Sequence, residues 1–441
     1  MLSFESTRLL YARLTQAGFA FSCIMAFGLP WSSAFFRIGI WGFLICFALS
    51  GHWQDKWSVI SKISIVWLAS ALFFLALVSM SYTIAPLDLA QEDVMRYVKL
   101  LAIGPLMFTC DTPRKRRLIL LAFCAGIAVL MLPTLLDGSS IARFLGVHLE
   151  RFTNQSYTRE TAGKGAPNLV YWRNQIVHGL FVAILCFVCL EKAVRHTRYR
   201  MVLLLIAGLC VIDIVYFIQG RMAMLGLVAA LILFALLQMK TNRGKMVIVA
   251  VAACVAMAAY VAVPNVSKRF NSASHEVEAY LNSGNISTSS GIRFHYWTIS
   301  TTLFRQAKWL GAGAGAFRHT LVVTQDVFMD QRHSHTHNEY LTVLSQYGAA
   351  GFLMFSGLLV TGFILASRLE DTEERHCYVA ALLVFALGCL SDSMLYNPHE
   401  GWTLVVFLAL ISAATNARRP INANPASTSP AALSPFAAGK V

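Results

Sequence analysis

The sequence predicts an all-α, polytopic integral membrane protein with about 12 transmembrane helices and one large polar loop between spans 9 and 10. Hydrophobic residues make up 57% of the 441 residues and charged residues only 13%, whereas soluble domains carry about 25% charged residues. Apolar runs long enough to cross a bilayer recur along the chain. The alternating pattern of a transmembrane β-strand is absent from these runs.

Twelve apolar runs are read as membrane spans. They lie near 14–29, 32–50, 63–80, 96–110, 118–136, 175–190, 201–218, 222–238, 246–263, 339–366, 378–393 and 401–416. No small-residue cleavage site follows the first run, so we expect a retained span and not a signal peptide. The chain then divides into a bundle of spans 1–9 (1–263), a large loop (264–338), spans 10–12 (339–416) and a tail (417–441). The tail is rich in Ala, Pro, Ser and Asn and is predicted to be disordered.

The basic residues are concentrated in alternate short loops. The run Arg114-Lys115-Arg116-Arg117 is the densest example, and Arg418-Arg419 follows the last span. The positive-inside rule therefore predicts that both termini are cytoplasmic and that the 264–338 loop lies on the opposite face. This distribution also accounts for much of the net charge of +14, so we expect no nucleic-acid partner.

A polar cluster closes the large loop with the sequence Arg332-His333-Ser334-His335-Thr336-His337-Asn338-Glu339. The three histidines alternate, so on an extended segment they would share one face, and a zinc site is conceivable. No Cys or Asp within the run supports zinc, and the ten cysteines all lie in or at the ends of apolar spans. We therefore expect no metal and no disulfide framework.

Histidine titrates near neutral pH and is a natural general base. His337 is the best placed of the three because it adjoins the next span, although spacing alone does not separate it from His333 and His335. Asn338 could orient His337 or cap the following helix. Glu339 is the alternative base.

Two arginines are predicted at helix starts on the same face as the loop. Arg221 opens a span directly after a tight turn, and Arg293 follows a polar run that offers N-cap residues (287–291). A cation is unfavourable at a helix N-terminus, and a bound anion would reverse this penalty. These arginines therefore suggest a diphosphate site, with an interfacial, snorkelling arginine as the alternative for Arg221.

Several further residues on or near this face could contribute to function. Arg143 and Arg151 belong to the 137–174 loop and could join the site. The segment Gly311-Ala312-Gly313-Ala314-Gly315-Ala316-Phe317 lacks the Lys-Ser/Thr of a nucleotide-binding P-loop and is better explained as a flexible re-entrant turn. Asp213 lies within a span, where it could relay protons or pair with a buried basic group.

In combination, these features resemble the O-antigen ligase and polymerase family of membrane glycosyltransferases. The similar motifs are Gly220-Arg221, Ser290-Gly291-Ile292-Arg293 with Trp297, the 311–317 segment, and His337-Asn338-Glu339-Tyr340-Leu341 followed by Gln346-Tyr347-Gly348 and Gly351. The resemblance assigns the catalytic histidine to His337 and the two functional arginines to Arg221 and Arg293. It also implies the inner membrane of a Gram-negative bacterium and a periplasmic active site.

The resemblance further implies glycan transfer from undecaprenyl diphosphate. For a ligase, the acceptor is the lipid A–core oligosaccharide, and this is the function that we favour. The alternatives within the family are an O-antigen polymerase and a protein O-oligosaccharyltransferase, which use the same donor. Diphosphate is a good leaving group, so we expect direct, inverting transfer without metal, nucleotide or other cofactor.

Two other classes of function remain open at the level of the sequence. A transporter or flippase would need polar residues along a path through the bilayer, whereas the unusual charges here gather on one face. A non-catalytic lipid-binding or assembly protein would tolerate the loss of His337.

Overall fold

The computed structural model describes residues 4–135, 175–218, 220–247, 264–324 and 335–417, and every regular element in these ranges is helical. The α-helices are α1 (Phe4–Gly28), α2 (Ser33–Leu49), α3 (Trp53–Ile60), α4 (Ser64–Ser79), α5 (Leu87–Tyr97), α6 (Ile103–Met107), α7 (Pro113–Leu135), α8 (Gln175–Arg195), α9 (Arg200–Ile212), α10 (Arg221–Gln238), α11 (Pro264–Ser283), α12 (Ser289–Gln306), α13 (Ala316–Val323), α14 (Glu339–Ser367), α15 (Thr372–Gly388) and α16 (Pro398–Asn416). Arg143, Arg151, His333 and the tail beyond Ala417 lie outside the described residues.

The lengths and apolar content of these helices confirm the predicted all-α, multi-pass membrane class. Six helical segments of the described ranges are long and apolar enough to cross a membrane, or seven if the bent pair α2–α3 forms one span. The six are Leu9–Gly28, Pro113–Leu135, Gln175–Arg195, Thr197–Ile218, Arg221–Gln238 and Glu339–Ser367. The predicted number of twelve is not tested by this count, since most of the predicted span 246–263 lies outside the described residues.

The predicted span 96–110 differs from the structure in its regularity. It is divided into the end of α5, a 3-10 segment at Val98–Ala102, the short helix α6 and a second 3-10 segment at Phe108–Cys110. Pro105 within α6 has no backbone N–H to donate, which accounts for part of this irregularity.

Two helices organise the packing of the bundle. α8 is buried along most of its length and contacts α7, α9, α10 and α15. α14 contacts α4, α15 and α16, and it also receives α12 and α13 from the large loop. The predicted loop is thus largely helical in its described part, and it packs onto the helix that begins directly after the histidine cluster.

A kink in α14 anchors the glycine-rich segment. Gly348 adopts non-helical backbone angles (φ 62°, ψ −160°), so the helix loses part of its internal hydrogen bonding there. The carbonyls of Ser345 and Gln346 accept instead from the N–H groups of Ala312 (2.9 Å) and Gly313 (2.9 Å). The N–H groups beyond the kink, on residues 349 and 350, donate to the carbonyls of residues 308 and 309. The 311–317 segment therefore forms a turn whose backbone satisfies a kinked helix.

Candidate active site

His337 occupies a constrained position immediately before α14. Its φ of 52° lies in the left-handed region, which costs a non-glycine residue about 1–3 kcal/mol and is concentrated at functional sites. The next residue, Asn338, is the N-cap of α14: its side-chain oxygen accepts from the N–H of Leu341 (3.1 Å) and its Nδ2 donates to the carbonyl of Leu390 (3.2 Å). The structure therefore assigns Asn338 the capping position that the sequence allowed.

The structure adds Asp392, whose position falls within the predicted span 378–393. α15 ends at Gly388, so Asp392 lies in the connection to α16, which we call the α15–α16 connection (389–397). Its Oδ1 lies 3.7 Å from Nδ1 of His335 and 3.7 Å from Nδ1 of His337, and the residue is only 1% exposed. The polar tripeptide Ser391-Asp392-Ser393 at a span end was the available signal.

The Asp392 carboxylate is held in its charged form. Burial raises its pKa, but the interactions with His337 and His335, and the N–H of Ser393, outweigh burial and bring the pKa down to about 2. The Asn397 side chain also donates to this carboxylate (3.4 Å). A fixed negative charge therefore faces two imidazoles.

Hydrogen bonding distinguishes the two imidazoles. The backbone N–H of His337 donates to Nδ1 of His335 at 3.4 Å, so this nitrogen of His335 acts as an acceptor. Nδ1 of His337 faces the Asp392 carboxylate at 3.7 Å, which is slightly longer than a hydrogen bond. We assign the neutral tautomer with the proton on Nδ1 from this proximity of opposite charge, which leaves Nε2 as the acceptor.

The same three residues offer a set of metal ligands. The ligand atoms of His335, His337 and Asp392 all lie within 4.8 Å of one another, and two imidazoles with a carboxylate are a donor set that suits zinc. The expectation of no metal rested on the absence of Cys and Asp within the histidine run. The fold brings a third ligand from another segment, so this donor set is compatible with a metal.

Arg221 opens α10, as predicted, with Gly220 as the N-cap. Its guanidinium donates to Glu276 of α11 (2.8 Å) and to Ser290 of α12 (3.1 Å). Burial raises the pKa of Glu276, but the hydrogen bonds from Arg221, Ser290 and Ser272 lower it to about 2. Arg221 thus has a carboxylate partner that was not predicted from the sequence, since Glu276 lies in a polar helix without a distinctive pattern.

Arg293 lies one helical turn after Ser290. Thr288 is the N-cap of α12, so Arg293 lies at the beginning of the second turn. The sequence had predicted Arg293 at the start of the helix. Burial lowers its pKa; the charge of Asp392 acts against this effect, and the charge of Arg221 adds to it. No hydrogen bond or close ion pair joins the Arg293 guanidinium to another residue of the described ranges. Arg293 therefore offers a cationic group beside Asp392 and Arg221.

Aromatic rings join the two sides of the site in a row. The buried ring of Tyr296 is parallel to the ring of His337, with 6.4 Å between the ring centroids. The ring centroids of His337 and His335 are 4.4 Å apart. The ring centroids of His335 and Tyr396 are 5.8 Å apart, and the guanidinium carbon of Arg96 lies 4.3 Å from the Tyr396 centroid. The row runs from α12 through the histidines to α5.

Glu339, the first residue of α14, is fully buried. Its carboxylate accepts from the N–H groups of Leu395 (2.9 Å) and Tyr396 (3.0 Å) and from the hydroxyl of Tyr97 (3.4 Å). These contacts join the first residue of α14 to the α15–α16 connection, which carries Asp392. Glu339 therefore fixes the position of one active-site segment relative to the other.

Asp213 lies at the start of a π-helical segment (Asp213–Ile218) that precedes Gly220 and Arg221. Its carboxylate is buried, accepts from the Thr134 hydroxyl and contacts Nε2 of His178 at 3.1 Å. This geometry corresponds to the second of the two predicted roles, a buried partner for a basic group.

The sequence of residues 202–356 matches the family described as O-antigen ligase. This segment contains Arg221, Arg293 and the histidine cluster, whereas Asp392 lies beyond it. No curated protein matches the chain in sequence. The family match supports glycosyl transfer of the O-antigen ligase and polymerase type, with lipid-linked polysaccharide substrates. Together with the helical membrane fold and the resemblance found in the sequence motifs, this match over 202–356 supports the assignment of this multi-pass membrane protein to the O-antigen ligase family.

Proposed function

We propose that this protein is an O-antigen ligase, which transfers O-antigen polysaccharide from undecaprenyl diphosphate to the lipid A–core oligosaccharide. The reaction would take place at the periplasmic face of a Gram-negative inner membrane, with both termini in the cytoplasm. The observation that carries this proposal is the contact between Asp392 and His337 at the start of α14, with the cationic group of Arg293 nearby. This arrangement supplies the base and the charge that such a transfer needs.

In the proposed reaction, a hydroxyl group of the acceptor attacks the anomeric carbon of the donor glycan. The new glycosidic C–O bond forms as the bond to the diphosphate oxygen breaks, and the bonding electrons leave with the diphosphate. Nε2 of His337 takes the hydroxyl proton, and Asp392 stabilises the resulting imidazolium. A single displacement inverts the configuration at the anomeric carbon.

The departing diphosphate gains negative charge, which Arg293 is placed to stabilise through fixed electrostatics. Its guanidinium suits phosphate oxygens because it presents a planar set of donors. Arg221 contributes a second positive charge at the N-terminus of α10, where the helix N–H groups also favour an anion. Because Arg221 is paired with Glu276, the diphosphate would compete with this carboxylate for it.

The neighbouring residues have supporting roles in this proposal. Asn338 fixes the start of α14 and with it the backbone of His337, and Glu339 holds the connection that carries Asp392. The carboxylate of Glu339 is bound to backbone N–H groups, which favours positioning over its alternative role as the base. His335 accepts from the N–H of His337 and thereby helps to orient it.

Neither a metal ion nor a nucleotide is required by this chemistry, since the diphosphate is already an activated leaving group. If zinc bound to His335, His337 and Asp392, it would supply a Lewis acid but would occupy the proposed base. We favour proton transfer because Arg293 and Arg221 add positive charge near the site, and a cation is disfavoured beside them.

Purified protein in detergent would be given undecaprenyl-diphosphate-linked O-antigen and rough lipopolysaccharide, with EDTA and without nucleotide. We expect a ladder of lipopolysaccharide from the wild type and none from His337→Ala. His275→Ala is a matched control because this histidine is exposed on α11 in the same loop, and it should leave the ladder unchanged. A lengthened lipid-linked glycan would instead identify a polymerase, and transfer to an added pilin a protein O-oligosaccharyltransferase. Full activity of His337→Ala would contradict the proposed mechanism.

A further inference from the structure

An open groove of about 650 Å³ lies beside the row of rings and is not used by the mechanism above. One wall is formed by α5 and the residues directly after it, including Gln91, Met95 and Arg96. The other wall is the start of α16 with Trp402, and Tyr396 closes the groove toward the histidines. The groove therefore shares Tyr396 and Arg96 with the row of rings at the active site.

The groove lies on the other side of the histidines from the donor arginines. His337 contacts Tyr296 of α12, the helix that carries Arg293, whereas His335 contacts Tyr396 of the groove. In a direct displacement, the attacking hydroxyl approaches the anomeric carbon from the side opposite the leaving diphosphate. If the diphosphate lies at Arg293, the groove lies where the acceptor would approach.

Arg96 gives this groove a chemical preference. Its guanidinium lies 4.3 Å from the centroid of the Tyr396 ring, and its Nε is buried without a hydrogen-bond acceptor among the described residues. The nearby Asp93 carboxylate accepts instead from the Tyr396 hydroxyl (2.7 Å) and from the N–H of Gly315 (3.1 Å). Asp93 attracts Arg96 through its charge but forms no hydrogen bond with it among the described residues, so the guanidinium of Arg96, which lines the groove, can donate to an anionic oxygen there.

Two carboxylates also line the groove: Glu92 is paired with Arg318, and Asp88 is exposed to solvent. The remaining lining fits the headgroup of a glycolipid. Gln91 offers hydrogen bonds to hydroxyl groups, and the aromatic rings of Tyr396 and Trp402 offer flat apolar surfaces to sugar faces. Met95 and Val98 are 58% and 39% exposed on the same wall, which provides an apolar edge for the lipid part of the ligand. The groove thus combines surfaces for sugar, lipid and one anion.

We propose that this groove binds the acceptor glycolipid, and that Arg96 binds an anionic phosphate group on its saccharide. The inference rests on the proposed function in one respect, namely that the occupant is the acceptor of the transfer. Lys99 also lines the groove, but it donates to the carbonyls of Leu395 (2.7 Å) and Asn397 (2.7 Å) and so helps to shape the wall. Arg96 is therefore the residue by which the groove distinguishes phosphorylated from neutral saccharides.

The test compares the binding of intact rough lipopolysaccharide with that of the same material after chemical removal of its phosphate groups. Binding to wild type, Arg96→Gln and Arg96→Lys in detergent would be measured by microscale thermophoresis. Arg96→Gln should weaken the binding of the phosphorylated acceptor about 10-fold or more, as expected for loss of a charged hydrogen bond. It should leave the binding of the dephosphorylated acceptor unchanged, and Arg96→Lys should recover part of the loss.

Arg243→Gln is the matched control, because Arg243 is exposed and lies after α10 near the predicted cytoplasmic face. Thermal unfolding of each variant checks that the fold is retained. The inference would be overturned if Arg96→Gln bound the phosphorylated acceptor as tightly as wild type does. It would also be overturned if the substitution raised the KM of the donor and left that of the acceptor unchanged. If wild type binds the phosphorylated acceptor through Arg96 but transfers no glycan, the binding site proposed in the groove is supported and the proposed ligase function is contradicted.

Discussion

Nδ1 of His337 lies 3.7 Å from Oδ1 of Asp392, although one residue precedes α14 and the other lies in the connection between α15 and α16. The contact depends on Asn338, which caps α14 and also binds the carbonyl of Leu390 next to this connection. It further depends on Glu339, which binds the N–H groups of Leu395 and Tyr396. A base and its carboxylate partner are therefore held together by the two residues that follow the base.

Asp392→Asn should lower kcat by about 10²–10⁴-fold, the range expected when a catalytic base is lost or loses its partner. The donor KM should change little, because the diphosphate is bound by the arginines. Steady-state kinetics with both substrates would measure this effect. Asp55→Asn, at a highly exposed carboxylate, should behave as wild type. An equal rise in both KM values without a change in kcat would argue against the role assigned to Asp392.

The ion pair between Arg221 and Glu276 predicts a separable effect on stability and binding. Arg221→Ala should lower the melting temperature, because it leaves a half-buried carboxylate without its main partner. The double variant Arg221→Ala/Glu276→Gln should regain stability, whereas donor binding should stay weak. Melting temperature and binding of undecaprenyl diphosphate would be measured for the single and double variants, as in a double-mutant cycle. Recovery of donor binding in the double variant would show that Arg221 acts only through Glu276.

The same pair predicts a dependence of stability on pH. The pKa of Glu276 is lowered in the folded protein from its ordinary 4.5 to about 2, so its contribution to stability is present above about pH 4.5. This contribution is lost as the pH falls toward 2, because the unfolded chain then binds the proton first. The melting temperature of wild type should exceed that of Glu276→Gln at pH 7, and the difference should shrink at pH 3. A constant difference would contradict the assigned pKa.

The kink of α14 predicts a strong response to a single methyl group. A Cβ at Gly348 would lie 2.5 Å from the N atom of Gly311 and from the carbonyl oxygen of Trp309, in a backbone conformation with φ of 62°. Gly348→Ala should therefore destabilise the protein by about 1–3 kcal/mol or more and lower activity by moving the start of α14. Gly208→Ala, with nothing within 4 Å of the new Cβ, is the control. Comparable melting temperatures for the two variants would rule out this packing.

Metal dependence distinguishes the two uses of the site formed by His335, His337 and Asp392. Activity should persist in EDTA, because proton transfer needs no metal. Added zinc should inhibit by occupying the ligand atoms, which lie within 4.8 Å of one another, and His335→Ala should reduce this inhibition. Zinc inhibition would be followed as an IC50 for wild type and variant. Loss of activity in EDTA that zinc restores would instead identify a metal-dependent enzyme.

The sequence by itself determined the features that depend on neighbouring residues. Apolar runs predicted the helical membrane class, since hydropathy acts along a single segment. The start of α10 at Arg221 and the cap at Asn338 were also readable, because capping involves residues within one helical turn. The position of His337 directly before a span followed from the same local boundary. These features need no knowledge of how the helices pack.

Only the tertiary structure decided which distant residues meet. Asp392 reaches His337 from another connection, and Glu276 reaches Arg221 from another helix. The residues around a carboxylate in a polar stretch do not indicate which residue it pairs with, because the pairing is determined by the packing of the whole bundle. The kink at Gly348 is likewise explained only by the hydrogen bonds that the backbone of residues 308–313 forms with α14. The local sequence determines the helices and their ends, and long-range packing determines which of those ends come together to form the site.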